Sequence, residues 1–369
     1  MWGELPVCHT GRIVWHRKLE AYATKVCPIM ESRQPVKYHC GSSRNILTNI
    51  CFGDSTVNCE LCQRWILAAV LALFGPLAVA RSASLDLQDG DRIVFVGGTF
   101  IERMQQYGYL ETLLTVAHPD KHLTFRNLGW SGDTVWGESR ALFGTQADGY
   151  ARLVKDIKDA KPTVLILCYG ANEAFARDGL SRFIDGLNHL LDDVSDTRAR
   201  VVLLSPYGIH AGPSDVPVRN SYNGRLNRYG LAMEEVAAKR DAQFISLFDL
   251  LDTLPRPAED ADSDAVTENG MHLTEYGYQQ AAFEIAKRLG VDVPKLDFAA
   301  KDKRLSQLRS TIQLKNELYF HRYRPQNETY LFLFRKHEQG NNAVEIPQFD
   351  PLVEEQEAVI AELVHALRD

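Results

Sequence analysis

Three features are scarce in this sequence, and each scarcity excludes a class of protein. Beyond residue 62 the chain has a single cysteine, Cys168, so a disulfide framework does not hold its larger part together. The formal net charge is −7, which argues against a nucleic-acid-binding protein because such proteins need a basic face. No repeat of solenoid or propeller period is visible, which excludes those architectures.

Long apolar runs are also scarce. The run at residues 65–80 has 16 residues and is broken by Gly75-Pro76, whereas a membrane span needs about 20. Arg64 precedes the run and Ala78-Val79-Ala80 ends it, a pattern typical of a secretory signal with its cleavage site. We therefore expect a signal peptide at residues 59–80, a secreted or periplasmic protein, and no stable membrane span after cleavage. An uncleaved membrane anchor is the alternative.

The composition changes at this segment. Over all 369 residues, 45% are hydrophobic and 24% charged, which is typical of a globular protein with one large domain or two modest ones. Residues 1–64 hold six of the seven cysteines, with 8 basic and 5 acidic residues, whereas the remainder has 33 basic and 43 acidic ones. Because residues 1–58 show no sustained apolar period and no clear helix caps, we expect them to be a disordered or non-native upstream extension.

Downstream, strand and helix patterns alternate. Short runs of β-branched and apolar residues predict five strands, at residues 92–96, 123–127, 164–168, 201–205 and 243–246. Apolar residues at helical spacing predict the helices between and after them, at residues 100–117, 150–160, 180–194, 218–239 and 275–289. This alternation predicts an α/β domain over residues 84–295, with a parallel sheet covered by helices on both faces.

Glycines and short polar side chains follow the predicted strands. They occur at residues 97–99, 127–134, 169–173 and 269–274. In a parallel sheet the ligand site lies beyond the carboxyl ends of the strands, so these segments share one edge. Together they supply a hydroxyl, an imidazole and several N–H donors, which are the groups that acyl transfer requires. No His, Asp and Cys cluster has metal-ligand spacing, so we expect no metal and no cofactor.

These four segments resemble the conserved blocks of the SGNH (GDSL-type) hydrolases. The order and spacing of the matching residues resemble that family over residues 84–289: Gly97-Gly98-Thr99, then Gly132, then Gly170-Ala171-Asn172-Glu173, then Asn269-Gly270-Met271-His272. The resemblance implies a three-layer α/β/α fold around a parallel sheet of five strands, and an esterase that cleaves acyl esters of lipids or sugars.

The resemblance also implies a role for each matching residue. Thr99 would be the nucleophile and His272 its general base, with Asn269 orienting His272. The oxyanion would be held by the backbone N–H groups of Thr99 and Gly132 and by the side-chain amide of Asn172.

Two of these positions depart from the family pattern. Thr99 stands where the family has Ser, and its extra methyl group crowds the attack and restricts χ1. Asn269 stands where the family has Asp, and an amide cannot stabilise an imidazolium as a carboxylate does. In serine proteases the corresponding Asp→Asn change lowers kcat about 10⁴-fold.

Other polar residues near the predicted pocket are expected to be structural. Ser131 lies in a near match to the G-x-S-x-G elbow, but Asp133 replaces its last glycine, so we expect Ser131 only to hydrogen-bond within the loop. Glu102, Glu138 and Glu173 are candidates for binding a sugar or a cation. We expect each of them instead to be a solvated carboxylate.

The C-terminal segment, residues 296–369, is predicted to be a helical arm. Helical periodicity covers residues 303–319 and 352–367, and aromatic and basic residues alternate between them. The first interpretation is that the arm packs on the α/β domain or on a partner subunit, which allows a homo-oligomer. The second is that it walls the pocket and contacts the substrate.

The resulting functional prediction is an exported esterase without a cofactor. Its predicted substrate is a small-molecule or carbohydrate ester, most plausibly an O-acetyl group on a sugar, cleaved through Thr99 and His272. The alternative is a catalytically inactive SGNH fold that binds glycans. A third and weaker hypothesis is an assembly module that dimerises through the arm.

Overall fold

The protein is described here by a computed structural model. The described residues are 85–175, 179–210, 216–255, 265–294, 296, 298 and 302–367. The predicted upstream extension and the predicted signal peptide lie outside them. Within these ranges, no helix is long and apolar enough to cross a membrane.

A sheet of five parallel strands forms the centre of the fold. The strands are β1 (Arg92–Gly97), β2 (Thr124–Asn127), β3 (Val164–Cys168), β4 (Arg200–Leu204) and β5 (Gln243–Ile245). Their order across the sheet is β2-β1-β3-β4-β5, and every neighbouring pair is parallel. The chain leaves β1 towards one edge and later returns to the other side of β1. A crevice therefore opens beyond the carboxyl ends of β1 and β3.

Helices cover both faces of this sheet. They are α1 (Thr99–Tyr107), α2 (Tyr109–Ala117), α3 (Gln146–Asp159), α4 (Leu180–Asp193), α5 (Val216–Lys239), the short α6 (Leu250–Thr253) and α7 (Glu275–Arg288).

The side chains of β3 show why the fold has three layers. Val164, Ile166 and Cys168 belong to one hydrophobic core, together with residues of α1, α2 and α7. Leu165 and Leu167 point to the opposite core, with residues of α3, α4 and α5. Alternate side chains of an all-apolar strand are thus buried on both faces, as expected for a parallel sheet between helical layers. The predicted three-layer α/β/α fold is confirmed.

Two predicted helices were wrong in their boundaries. The single helix predicted at residues 100–117 is two helices, because Gly108 adopts a left-handed conformation with φ +66° and ends α1. The helix predicted to begin at residue 150 begins four residues earlier, where Thr145 and Asp148 form a capping box. The other predicted elements of the sheet domain agree with the structure to within two residues at each end.

The C-terminal segment is helical. It contains α8 (Lys303–Tyr323), α9 (Glu328–Leu331), α10 (Lys336–Gln339), a 3-10 helix (Gly340–Gln348) and α11 (Phe349–Ala366). Helix α8 therefore continues four residues beyond its predicted end.

Helix α8 lies against α1, α2 and the edge strand β2. Its Lys315 is buried, and the ammonium group donates to Glu111 Oε1 at 2.6 Å and to the Phe125 carbonyl of β2 at 3.2 Å. Asn316 donates to the other Glu111 oxygen at 3.1 Å. A buried, hydrogen-bonded charge pair fixes the helix to the domain, and the helix covers an edge strand that would otherwise be open to pairing.

Candidate active site

A pocket opens at the carboxyl ends of β1 and β3. Its empty volume, open mouth included, is about 620 Å³. Six segments contribute to its lining: the turn after β1, the loop after β2, the turn after β3, the segment after β4, helix α5 and the turn before α7. The pocket therefore lies where the strand order of the sheet predicts a ligand site.

Thr99 is the first residue of α1 and lines this pocket. The strand β1 ends at Gly97, and Gly98 is the N-cap residue in extended conformation. The first N–H groups of a helix have no partner within the helix and carry the positive end of its dipole. The hydroxyl and the backbone N–H of Thr99 thus lie at a point that favours negative charge.

The loop at residues 128–134, here called the oxyanion loop, passes close to Thr99. The backbone N–H of Gly132 donates to Thr99 Oγ1 at 3.3 Å. Gly129 makes this approach possible, because a Cβ there would overlap the backbone of Glu102 in the first turn of α1. The donor that the family resemblance assigns to the oxyanion is therefore next to the candidate nucleophile.

Asn172 supplies a second donor to the same pocket. Its Nδ2 donates to the Asp133 carbonyl at 2.6 Å, which sets the orientation of the amide. An amide nitrogen carries two hydrogens, so one N–H remains after this bond is made. Since Asn172 lines the pocket, that remaining N–H is available to a ligand oxygen.

A buried polar network supports the oxyanion loop from behind. The Arg140 side chain is fully buried, and it donates to Asp133 Oδ2 at 2.7 Å and to the Leu128 carbonyl at 2.7 Å. Tyr169 donates its hydroxyl to the same Asp133 oxygen at 3.1 Å. Both ends of the loop are therefore hydrogen-bonded to the Arg140 guanidinium. Removing one partner of a buried ion pair such as Arg140–Asp133 lowers the free energy of unfolding by about 3–5 kcal/mol.

Glu173 joins this loop to the turn after β3. One of its carboxyl oxygens accepts from the Val135 N–H and the other from the Gly170 N–H, each at 2.9 Å. The side chain is buried, and burial raises the pKa of Glu173 to about 7 against the opposing effect of these hydrogen bonds. The expectation of a solvated carboxylate is wrong here. Two backbone N–H groups buried beside the site need an acceptor, and Glu173 provides it.

His272 also lines the pocket, on the turn before α7. No hydrogen bond among the described residues joins its ring to Thr99 Oγ1, although the two side chains face the same cleft. Burial lowers the pKa of His272, and the Arg103 charge lowers it further against the opposing charge of Glu268. The imidazole is therefore neutral over a wider pH range than an ordinary histidine.

Asn269 favours one tautomer of that imidazole. Its Oδ1 accepts from the backbone N–H groups of Met271 and His272, at 3.1 and 2.9 Å. Its Nδ2 consequently faces His272 Nδ1, at 3.3 Å. Because an amide nitrogen only donates, this contact favours the tautomer in which Nδ1 accepts and Nε2 carries the proton. A catalytic triad uses the reverse tautomer, in which Nδ1–H donates and Nε2 accepts.

The structure thus brings Thr99, Asn172 and His272 to one pocket, with Gly132 hydrogen-bonded to Thr99 and Asn269 in contact with His272. Ser131 hydrogen-bonds, but to helix α1 rather than within its loop as predicted, since its N–H and hydroxyl donate to Glu102 at 2.6 and 2.8 Å. That contact also shows that the expectation for Glu102 is wrong, because its carboxylate is bound by protein groups. Glu138 is partly exposed and pairs with Arg182.

Sequence reasoning missed the aromatic wall of the pocket. Phe175, Tyr207 and Tyr222 all line it, and the Phe175 and Tyr222 rings stack at 4.6 Å. Tyr207 lies three residues beyond the end of β4, so the strand-end rule, applied to that strand as well, finds it. Tyr222 lies within α5 and carries no signal of its own in the sequence. In the described ranges, no group of three or more His, Cys, Asp or Glu could hold a metal ion.

A parallel α/β/α fold with a hydroxyl, an imidazole and N–H donors at the strand ends is an arrangement suited to hydrolases that act on ester bonds. The family model described as GDSL-like Lipase/Acylhydrolase matches residues 90–280, just over half of the chain. The chain belongs to this family, as its sequence motifs predicted, and the assignment to ester hydrolases is confirmed.

Similar solved structures were also found. A catalytic mutant of Axe2, an acetylxylan esterase from Geobacillus stearothermophilus, is 18% identical, with 57% of this chain and 99% of that chain covered and a TM-score of 0.44. LAE5, an α/β hydrolase from the metagenome of Lake Arreo, Spain, is 19% identical, with coverages of 56% and 97% and a TM-score of 0.43. No curated protein matched the sequence.

The gut microbial diltiazem-metabolizing enzyme BT4096 aligns over more of this chain. It is 12% identical, with 76% of this chain and 96% of that chain covered and a TM-score of 0.54. At this identity the similarity concerns the fold.

Proposed function

We propose that this protein is an exported esterase that removes an acyl group, most plausibly acetyl, from a carbohydrate. One observation carries the proposal: Thr99, Asn172 and His272 line a single pocket, and the Gly132 N–H lies 3.3 Å from Thr99 Oγ1. A nucleophile, a proton carrier and oxyanion donors around one cavity are what ester hydrolysis requires.

The proposed reaction has two halves and begins when the His272 proton moves from Nε2 to Nδ1, which leaves Nε2 as the base. Thr99 Oγ1 then attacks the ester carbonyl carbon while its proton passes to Nε2 of His272. The negative carbonyl oxygen of the tetrahedral intermediate accepts from the Thr99 and Gly132 N–H groups and from Asn172 Nδ2. His272 then protonates the departing alcohol and leaves an acyl group on Thr99. A water molecule, losing its proton to His272, releases the acid and restores the hydroxyl.

The lining of the pocket supports the proposed substrate. Apolar and aromatic side chains suit a short acyl group, with few polar groups to fix its orientation. Phe175 is 59% exposed and stacked on Tyr222, so its ring offers a flat apolar surface beside the cavity. A sugar ring has a matching C–H face, which favours a carbohydrate as the alcohol part of the ester.

The tautomer of His272 favours a second candidate. With its proton on Nε2, the imidazole donates a hydrogen bond into the pocket and cannot take the Thr99 proton until the proton has moved. A site of this kind binds an acyl sugar through its donors without hydrolysing it quickly. The second candidate is therefore a glycan-binding protein of the same fold.

Hydrolysis of p-nitrophenyl acetate separates the two candidates. We expect the parent protein to turn over and both Thr99→Ala and His272→Ala to fall to background. His122→Ala, which removes an exposed imidazole far from the pocket, is the matched control and should keep the parent rate. A parent at background would reject ester hydrolysis with this substrate and favour the binding protein. A parent rate retained in Thr99→Ala would reject Thr99 as the nucleophile.

Export remains part of the proposal and depends on the signal-like segment at residues 59–80. The N-terminal peptide of the secreted protein should begin directly after Ala80. A mature peptide that starts upstream of the segment would reject signal cleavage.

A further inference from the structure

The end of α8 contacts two consecutive residues of the oxyanion loop directly and a third through Glu102. The Tyr323 hydroxyl donates to the Gly129 carbonyl at 2.7 Å. The Arg324 guanidinium lies over the ring of the buried Trp130, 3.8 Å from its centroid. The third residue, Ser131, is reached through Glu102 of α1.

Glu102 connects the C-terminal segment to the loop. Its Oε2 accepts from Arg324 Nη1 at 2.6 Å, and its two oxygens also accept from the backbone N–H and the hydroxyl of Ser131. Ser131 directly precedes Gly132, whose N–H points to Thr99 Oγ1. A continuous set of polar contacts therefore runs from Arg324 through Glu102 and Ser131 to the oxyanion donor.

These contacts lie behind the loop, outside the cavity. None of the described residues that line the pocket comes from residues 302–367. The second interpretation of the arm, as a wall of the pocket that contacts substrate, thus has no support in the lining. What the arm holds is the backbone that presents the Gly132 N–H.

We propose that Arg324 and Glu102 are positioning residues of the esterase site, through which the C-terminal segment keeps the oxyanion loop in its productive place. The inference rests on the proposed function, since it assigns the Gly132 N–H to the oxyanion. Arg324 also balances the Glu102 charge, which otherwise stands one helical turn from Thr99 and opposes a developing negative charge.

Loss of the Arg324 link should lower the rate of the chemical step more than substrate binding. A donor displaced by a fraction of an ångström is weakened mainly in the transition state, where the oxygen carries its charge. Removing one oxyanion donor outright costs about 10²–10³ in kcat, so loosening one should cost about tenfold. Helix α8 itself should remain docked, because Lys315 and Asn316 hold it to Glu111 independently.

The experiment compares Arg324→Ala, Arg324→Lys and Glu102→Gln in the full-length chain. Arg322→Ala is the matched control, because Arg322 lies on the same turn of α8 but pairs with Asp350 inside the C-terminal segment. Two quantities are measured for each variant: kcat and KM with p-nitrophenyl acetate, and hydrogen–deuterium exchange of the peptide spanning residues 129–134.

We expect Arg324→Ala to exchange faster in that peptide and to lose about tenfold in kcat at nearly unchanged KM. Arg324→Lys keeps the charge and should recover part of the rate, Glu102→Gln should behave like Arg324→Ala, and Arg322→Ala should match the parent.

Equal effects of Arg322→Ala and Arg324→Ala would overturn the proposal, because they would indicate a general loss of stability. So would unchanged exchange at residues 129–134, or faster exchange with an unchanged kcat. If the parent shows no hydrolysis, the proposed function fails, and exchange at residues 129–134 alone decides whether Arg324 positions the loop.

Discussion

The two halves of the pocket differ in how firmly they are built. On one side the oxyanion loop is backed by buried side chains, with Arg140 fully enclosed and Glu173 joining two backbone segments. On the other side His272 is only half-buried and Asn269 is exposed. Their turn is held by the Tyr207 hydroxyl on the Met271 carbonyl at 2.6 Å and by a partly exposed ion pair between Arg103 of α1 and Glu268.

This difference shows that acceptance of negative charge and proton transfer depend on separate parts of the site. Acceptance of negative charge depends on backbone N–H groups and an amide, and all of these are present in the oxyanion half. Proton transfer depends on one tautomer of one imidazole, and the Asn269 contact favours the opposite one. The chain thus combines the candidate oxyanion donors with a histidine whose Asn269 contact favours a proton on Nε2.

The largest expected effect comes from Asn269→Asp. The new carboxylate can keep both backbone N–H groups on one oxygen and accept Nδ1–H of His272 on the other. Nε2 is then free to take the Thr99 proton. Reversing the change known to cost serine proteases about 10⁴ in kcat should raise kcat here by up to about 10⁴-fold.

Steady-state hydrolysis of p-nitrophenyl acetate measures this effect. Asn269→Ala, which removes the amide without supplying a carboxylate, is the control and should not accelerate the reaction. An Asn269→Asp protein no faster than the parent would show that the tautomer does not limit the rate.

Asn172→Ala tests the other half of the comparison. Removing its side-chain N–H should lower kcat about 10²–10³-fold with little change in KM, because the donor acts mainly on the charged intermediate. The Asp133 carbonyl also loses its partner, at a cost of about 1–3 kcal/mol in stability, so Tm is measured alongside. Asn188→Ala on α4 is the control. A higher KM at constant kcat would instead assign Asn172 to ground-state binding.

Glu173→Gln should change the pH dependence of stability. The pKa of Glu173 rises from 4.5 to about 7 in the folded chain, so the folded state holds more protons than the unfolded state between those values. Stability therefore falls as pH rises through this window, by about 3 kcal/mol for this group. The neutral Gln side chain lacks this dependence.

Urea unfolding from pH 4.5 to 7 measures this difference between parent and variant. Glu138→Gln, at a partly exposed carboxylate nearby, is the control and should follow the parent curve. Parallel curves for the parent and Glu173→Gln would show that Glu173 stays ionised in the folded protein.

Most of the fold could be predicted because its signals are local. The run at residues 164–168 is apolar at every position, and it forms a strand buried on both faces. Predicted helix boundaries were wrong where the backbone conformation of a single residue ends a helix, as the left-handed conformation of Gly108 does. The site segments were found because strand ends of a parallel sheet meet at one edge. The position of Tyr222 in the pocket and the burial of Glu173 could not be predicted, because residues distant in the sequence bury these two side chains.

The sequence by itself determined the family, the layer order and the polar segments at the strand ends that contribute Thr99, Asn172 and His272 to the pocket, because these depend on periodicity and on motifs beside strands. Only the tertiary structure decided the tautomer of His272, the burial of Glu173 and the contacts of Arg324 with the oxyanion loop. Each of these depends on which donor faces which acceptor in space, and hydrogen bonds depend steeply on distance and angle. That information is absent from any local pattern of residues.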